Sequence, residues 1–439
     1  MKYKRIEDDS KVIYCTDRCE LYMTSVEKEQ ELVEMLDKKF KENGELLVTK
    51  SPENPNKLKK LIILMTTACN LKCRYCYLNY GKYEENECIH NINVESAKRA
   101  IEIIIEKFPE GIGFIQFFGG EPLIAFKELK LIHQFICSIF QEKKLTIPKF
   151  GMVTNGILLN DEVVDFLNKS RISVTVSVDG NNEIHDIVRL KVDKTSAFED
   201  LQEIMECCKE KIEIPLFYEM TLNREHILAY EPGKMYEWLD SIKKLGFYSG
   251  ITGVVEFSRD PSLDFKKEDI PILKNINKEL VDYYFNELEK EDTSFFNLDI
   301  CKTILFIIKK DLREYCCHTG VSQLTLSANG LFYPCPKFAG IKKQIGSVQE
   351  GVIDNDDMKE LIQEDKRETC QVCWMRHMCK SYCCALKYRN TDNREVIPIR
   401  CIHIESLFEN IIRNVIRLKT NGQLGEIVKK VQRLFKEIN

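Results

Sequence analysis

The sequence predicts an α/β protein: a partial (β/α)6 barrel flanked by a small N-terminal α+β segment and a cysteine-rich C-terminal region. Two observations predict the barrel. Six strand-like runs, at 61–66, 113–118, 149–154, 172–178, 214–220 and 248–256, alternate with helical patterns at 94–108, 129–140, 162–167, 198–207 and 235–245. That alternation calls for parallel strands joined by helical crossovers, and six units suit an open barrel better than a closed eight-fold one. The polar motifs Gly119-Gly-Glu-Pro122, Thr154-Asn-Gly156 and Asp179-Gly180, and three cysteines after 61–66, all fall at or just beyond strand ends. Ligands of parallel sheets bind at those carboxyl ends, so the motifs are expected on one face.

The elements follow in order. Residues 1–59 form a separate segment, with short strands near Val12–Cys15 and Glu20–Met23, an amphipathic helix at 27–40 and a proline-rich polar linker at 51–57. The barrel occupies 60–260, and 261–300 reads as a charged helical bridge. From 301 to 405 cysteine density rises and helical periodicity weakens, as expected where metal centres replace an apolar core. Residues 406–439 read as a C-terminal helix, because Leu407, Phe408, Ile411, Ile412, Val415 and Ile416 share one face.

Composition narrows the class. The 439 residues suffice for two or three domains, and 44% apolar with 30% charged residues is ordinary for a globular protein. A net charge of −5 disfavours a nucleic-acid partner. The start lacks a signal-peptide core and no apolar run is long enough to span a bilayer, so no membrane partner and a cytoplasmic location are expected. Nineteen cysteines are anomalous for such a chain, and in a reducing compartment metal ligation explains the ordered subset better than disulfides.

Cys69, Cys73 and Cys76 form a C-x3-C-x2-C triplet on one short loop. Soft thiolates suit iron–sulfur clusters, and three of them leave one iron of a cubane free to bind a small molecule. A structural zinc site would want a fourth protein ligand, and none is obvious nearby. Downstream, Cys317-x12-Gly330-x4-Cys335 is followed by Cys370-x2-Cys373-x5-Cys379-x3-Cys383 and then Cys401. Gly330 suits a hairpin turn between the first two cysteines. Spacing alone leaves a pair of zinc ribbons open. His133 and Cys137, one helical turn apart, and Cys15 with Cys19 read as packing and structural residues.

Together, Cys69/Cys73/Cys76, Gly119–Pro122, Val153-Thr-Asn-Gly156, Ser177-Val-Asp-Gly180 and His185-Asp-x-x-Arg189 resemble the radical S-adenosylmethionine (SAM) superfamily. The distal array resembles its SPASM extension, found in maturases of ribosomal peptides (RiPPs) such as the sactipeptide and ranthipeptide types. The resemblance implies that the triplet holds a SAM-binding [4Fe-4S] cluster. It implies that Gly119, Gly120 and Glu121 meet the methionine ammonium of SAM, that Tyr75 lies by the adenine, and that Ser177 and Arg189 contact ribose and carboxylate. It also implies two auxiliary [4Fe-4S] clusters, one on Cys370, Cys373, Cys379 and Cys401, the other on Cys317, Cys335 and Cys383. The fourth ligand of the second is Cys316 or Cys301, or the cluster is open. Related sulfatase maturases carry a further cysteine where this chain has Asp311 (Lys310 if Cys316 is the first ligand).

The function implied is a radical SAM oxidoreductase that generates a 5′-deoxyadenosyl radical and cross-links a precursor peptide through a thioether or carbon–carbon bond. Its partners would be that peptide and a low-potential electron donor such as flavodoxin or ferredoxin, with the N-terminal segment placed to contact a leader. The alternatives are oxidation of a protein residue, as in anaerobic sulfatase maturation, and a zinc-stabilised, non-enzymatic interaction protein. In sulfatase maturases an aspartate base follows the hairpin cysteine. Here Cys335 is followed by Pro336, which takes no proton.

Overall fold

The computed structural model describes residues 3–6, 12–15, 20–24, 28–42, 55–82, 90–255, 258, 260–309, 319–341, 343–354, 373–377, 379, 383, 385 and 399–437. Strands β1 (Tyr3–Ile6), β2 (Val12–Cys15) and β3 (Glu20–Met23) form an antiparallel sheet followed by helix α1 (Glu29–Glu42). The main sheet then grows from β4 (Leu58–Leu64), β6 (Ile112–Phe118), β7 (Lys149–Thr154), β8 (Ile172–Ser177), β10 (Leu216–Leu222), β11 (Ser249–Val254) and the short β12 (Phe296–Asn297), all parallel. Two further strands, β5 (Leu71–Cys73) and β9 (Arg189–Lys191), pair only with each other.

Helices α2 (Val94–Lys107), α3 (Phe126–Glu142), α4 (Asp161–Ser170), α5 (Asn182–Val188), α6 (Ala197–Cys208), α7 (Arg224–Leu228) and α8 (Lys234–Lys244) supply the crossovers. Their starts are written in the sequence as side-chain caps: Asn93 accepts from Ser96 N, Asn160 from Val163 N and Ser196 from Glu199 N. Each such cap satisfies a backbone donor that the first helical turn leaves orphaned. The strand at 214–220 begins two residues later, after Pro215, which has no N–H to give a ladder.

Two expectations need correction. The bridge at 261–300 contains α9 (Ile270–Glu289), whose Leu273, Ile276, Leu280, Tyr284, Phe285 and Leu288 are buried, so it is a core helix despite its charged outer face. It is followed by α10 (Leu298–Lys309). In 301–405, β13 (Gln323–Leu326) pairs in parallel with β4, and β14 (Leu331–Tyr333), β15 (Gly346–Ser347) and β16 (Val352–Ile353) extend that edge antiparallel. After the short α11 (Pro336–Ala339), the single C-terminal helix is two, α12 (Ile399–Thr420) and α13 (Leu424–Glu437), divided at Gly422 with φ +75°. The hairpin glycine behaves as expected, since Gly330 sits at φ +76° and donates to Ser327 O.

The two faces of the main sheet differ. Ile115, Phe117, Phe150, Val174, Val176, Tyr218 and Met220 are buried against helices, whereas Phe114, Gln116, Ser173, Thr175, Phe217 and Glu219 alternate with them and stay partly exposed. Lys60 on β4 and Glu219 on β10 feel each other's charge although four strand steps separate them. On a flat sheet that is about 19 Å, beyond a Debye length in salt. The sheet is therefore curled, with this face concave. Among the described residues no helix is long and apolar enough to cross a membrane.

Candidate active site

The cysteine loop leaves β4 at Met65, where the ladder ends. Gly120 N donates to Thr66 O and Glu121 N to Ala68 O, so the loop after β6 lies directly on it. That contact demands glycine. A Cβ on Gly120 would stand 1.8 Å from Ala68 O, and Gly119 holds φ +133°. Asn155, in the loop after β7, donates to Asn70 Oδ1 at 2.7 Å. Cys73 pairs with Arg189 across β5 and β9, which carries the 185–189 motif to the cysteines although the two lie 116 positions apart in the chain.

Within the loop, Tyr80 N donates to Cys76 Sγ at 3.2 Å and Arg189 Nη1 lies 3.9 Å from Cys73 Sγ. Burial pushes the Cys73 thiol up to about 12, with the Arg189 charge opposing it and Cys76 adding to it. Burial raises Cys69 and Cys76 too, and Cys73 raises Cys69 further. Such thiols stay neutral until a metal displaces their protons, and N–H donors pointed at sulfur then stabilise the thiolates. Among the described residues no three His, Cys, Asp or Glu side chains converge tightly enough for a single metal ion, the triplet included. Three soft thiolates on one loop are a donor set suited to an iron–sulfur cluster.

The Glu121 carboxylate, 1% exposed, accepts from Leu123 N (3.1 Å), Thr154 Oγ1 (2.6 Å) and Asn155 N (2.8 Å). It staples its own loop to the end of β7. Burial holds its pKa up to about 7 against those hydrogen bonds. Arg189, 6% exposed, likewise has a partner in its own chain: its Nε donates to Asp179 Oδ2 at 2.7 Å. The Tyr75 hydroxyl donates to the same oxygen, and the guanidinium lies 5.3 Å from the Tyr75 ring centre. Thr221 N donates to Asp179 Oδ1 at 2.8 Å. Asp179 is thus the hub of the cluster, and its carboxyl is lowered below the usual range because the Arg189, His185, Tyr75 and Thr221 contributions outweigh burial. Sequence reasoning placed Asp179 at a strand end and missed this role; its position two residues after Ser177 and ten before Arg189 was the available signal. Ser177 sits at the end of β8, partly exposed, in register with Glu219.

In the distal region Cys317 and Cys370 lie outside the described residues, as do Cys316, Lys310 and Asp311. Of the others, Cys335, Cys373, Cys379, Cys383 and Cys401 are described. Cys373 and Cys379 lie close enough that Cys379 raises the Cys373 thiol, after burial, while Met375 N donates to Cys373 Sγ at 3.4 Å. Cys335 starts α11, and Lys337 on that helix places its Nζ 4.0 Å from Cys383 Sγ. Cys401 is in the first turn of α12. Cys301 is fully buried on α10, inside the apolar core. His133 packs on Phe150 with ring centres 4.5 Å apart, its Nε2 3.8 Å from Cys137 Sγ.

The N-terminal sheet sits against this region. Tyr14 makes edge contacts with Trp374 and Phe408, and Lys4 pairs with Glu405 and Glu409.

Comparison with known proteins converges on one family. The profile of the Radical SAM superfamily matches residues 63–230. The cysteine-type anaerobic sulfatase-maturating enzyme of Clostridium perfringens is 24% identical over 391 residues, covering 83% of this chain and 99% of its own. A probable GTP 3',8-cyclase of Methanococcus vannielii is 30% identical over 281 residues, 62% of this chain and 82% of its own. Among solved structures, native anSMEcpe with bound AdoMet and Cp18Cys peptide superposes with a TM-score of 0.65 at 19% identity, covering 83% of this chain and 99% of the other. Streptococcus suis SuiB bound to precursor peptide SuiA does so at 0.50 and 14% identity, covering 88% and 95%. At such identities the structures speak for the fold alone.

Proposed function

The chain belongs to the radical SAM superfamily and is an enzyme of it, and from that premise we propose that it modifies a ribosomally made precursor peptide by an intramolecular thioether or carbon–carbon cross-link. The family works with a [4Fe-4S] cluster and SAM, which together supply a 5′-deoxyadenosyl radical able to take a hydrogen atom from the substrate. Cys69, Cys73 and Cys76 hold that cluster. Gly119 and Gly120, beside the stapled Glu121, let backbone approach the methionine end of SAM. Ser177 lies at the ribose, and the Asp179–Arg189–Tyr75 group orients the carboxylate and adenine ends.

The remainder of the chain shapes the substrate's path. The curled sheet is a partial six-unit barrel, closed at one edge by the β13–β14 hairpin. Residues 301–405 are a SPASM domain with two auxiliary [4Fe-4S] clusters, one on Cys370, Cys373, Cys379 and Cys401 and the other on Cys317, Cys335 and Cys383; the nearness of Cys373 to Cys379 supports the first set. The core position of Cys301 argues against it as the latter's fourth ligand. Docked on this domain, the N-terminal sheet is placed to contact a leader. Cytoplasmic location and reduction by a flavodoxin or ferredoxin fit the reading.

The observation that carries it is the concave face, partly exposed and mixed polar and aromatic, opening beside the cysteine loop. Both anSMEcpe and SuiB have been seen with peptides bound. The similarity to sulfatase-maturating enzymes over 83% of the chain favours a second reading, oxidation of a protein residue. Pro336 weighs against it. Anaerobically reconstituted enzyme, SAM, a low-potential reductant and a cysteine-containing substrate peptide are expected to yield 5′-deoxyadenosine and a peptide lighter by two hydrogens. Loss of two hydrogens together with exchange of cysteine sulfur for oxygen, leaving an aldehyde on that residue, would instead establish the second reading, and no 5′-deoxyadenosine would defeat both.

A further inference from the structure

Two charges on the concave face have no assigned work. Glu219 stands midway along β10, in register with Ser177 on one side and Ile251 on the other. Its neighbours Tyr218 and Met220 turn to the helices and are fully buried, so Glu219 points into the hollow of the sheet. Lys60 projects from β4 into the same hollow, its ammonium 5.6 Å from the Phe114 ring centre. Neither has a hydrogen-bonded or ion-pair partner among the described residues, and they do not close on each other. Around Glu219 lie the charges of Arg189, Asp179, Lys60 and Lys337; around Lys60 lie Glu219 and Lys302. Arg189 and Asp179 already neutralise one another.

Unpaired charges in a protein-enclosed space are costly and persist where a ligand completes them. Burial pushes Glu219 toward its neutral form and Lys60 toward its own. A strong acceptor and a strong donor facing one space, held apart, complement a group that carries both in fixed geometry. A peptide amide is such a group.

We propose that Glu219 and Lys60 grip one backbone amide of the substrate peptide, Glu219 accepting from its N–H and Lys60 donating to its C=O, and so set which residue faces the SAM site. This rests on the peptide-modifying reading above. The pair carries no part of SAM cleavage. It positions the chain, so its loss should appear in peptide binding and in where the peptide is modified.

The test uses full-length reconstituted enzyme and a synthetic panel of cysteine-containing peptides. Glu219→Gln keeps a carbonyl acceptor and is expected to raise peptide KM about tenfold with kcat within twofold. Glu219→Ala and Lys60→Met are expected to raise KM further and spread modification over neighbouring residues. SAM affinity and peptide-free 5′-deoxyadenosine formation should be unchanged in all three, which excludes misfolding. Unaltered KM and site selection in Glu219→Ala overturns the inference and leaves the proposed function standing. If wild-type enzyme forms 5′-deoxyadenosine but neither binds nor modifies any peptide, both fall together.

Discussion

Arg189 and Asp179 are bonded at 2.7 Å with side chains only 7% and 0% exposed, and Arg189 also lies against the sulfur of Cys73. A buried ion pair of this kind contributes modest net stability, but removing one partner strands the other. The pair therefore couples the cysteine loop, β8 and β9 into one unit.

Asp179→Ala is expected to cost about 3–5 kcal/mol, the range for a stranded buried charge. Asp179→Asn, which keeps an acceptor, should cost less. Denaturant unfolding measures the stability loss, and calorimetric titration with SAM is expected to show weakened binding in both. Because the Asp179 carboxyl is lowered in the fold, its contribution is present above the unfolded value of 3.8 and lost as pH falls through the lower folded value. Acid unfolding of the Asn variant should consequently lack that component.

Glu121 carries the opposite sign. Its carboxyl is raised from 4.5 to about 7, so the contribution is fully present below 4.5 and lost as pH rises through about 7. At about 1.4 kcal/mol per unit, the loss is on the order of 3 kcal/mol. Unfolding free energies across that window should decline with pH in the wild type and flatten in Glu121→Gln.

Gly120→Ala forces a methyl into Ala68 O, a backbone atom with no freedom to retreat. Overpacking of this sort costs about 1–3 kcal/mol. Here the displacement falls on the cysteine loop, so 5′-deoxyadenosine formation should drop far more than the melting temperature.

Alanine at any of Cys69, Cys73 or Cys76 is expected to remove about four irons per chain, the content of one cubane cluster. SAM-dependent changes in the paramagnetic resonance of the reduced protein should vanish with them.

The two distal groups predict separable losses. Cys373→Ala and Cys379→Ala should remove one cluster signal, while Cys335→Ala and Cys383→Ala remove the other. Iron analysis with resonance spectroscopy of each variant checks the assignment, and a single shared signal lost by all four would refute it.

Much of this was legible along the chain. Strand and helix order followed from apolar periodicity and from caps such as Asn93, Asn160 and Ser196, which act within a few residues. Gly119-Gly120 and Gly330 were readable because a turn or close approach leaves no room for a side chain. The burial of α9 was obscured by its many charges, which line one face while Tyr284 and Phe285 fill the core.

What the sequence by itself determined is local: which residues form strands, which break them, and which motifs end at the same edge of a parallel sheet. What only the tertiary structure decided is which charges meet. Glu121 turned inward to Thr154 and Asn155, Asp179 became the partner of Arg189, and Lys60 and Glu219 came to share one hollow. Periodicity reports the side of a strand on which a residue lies. Electrostatic partnership depends on how far the sheet curls and on distances of a few ångströms, and those emerge only when distant strands close around a common space.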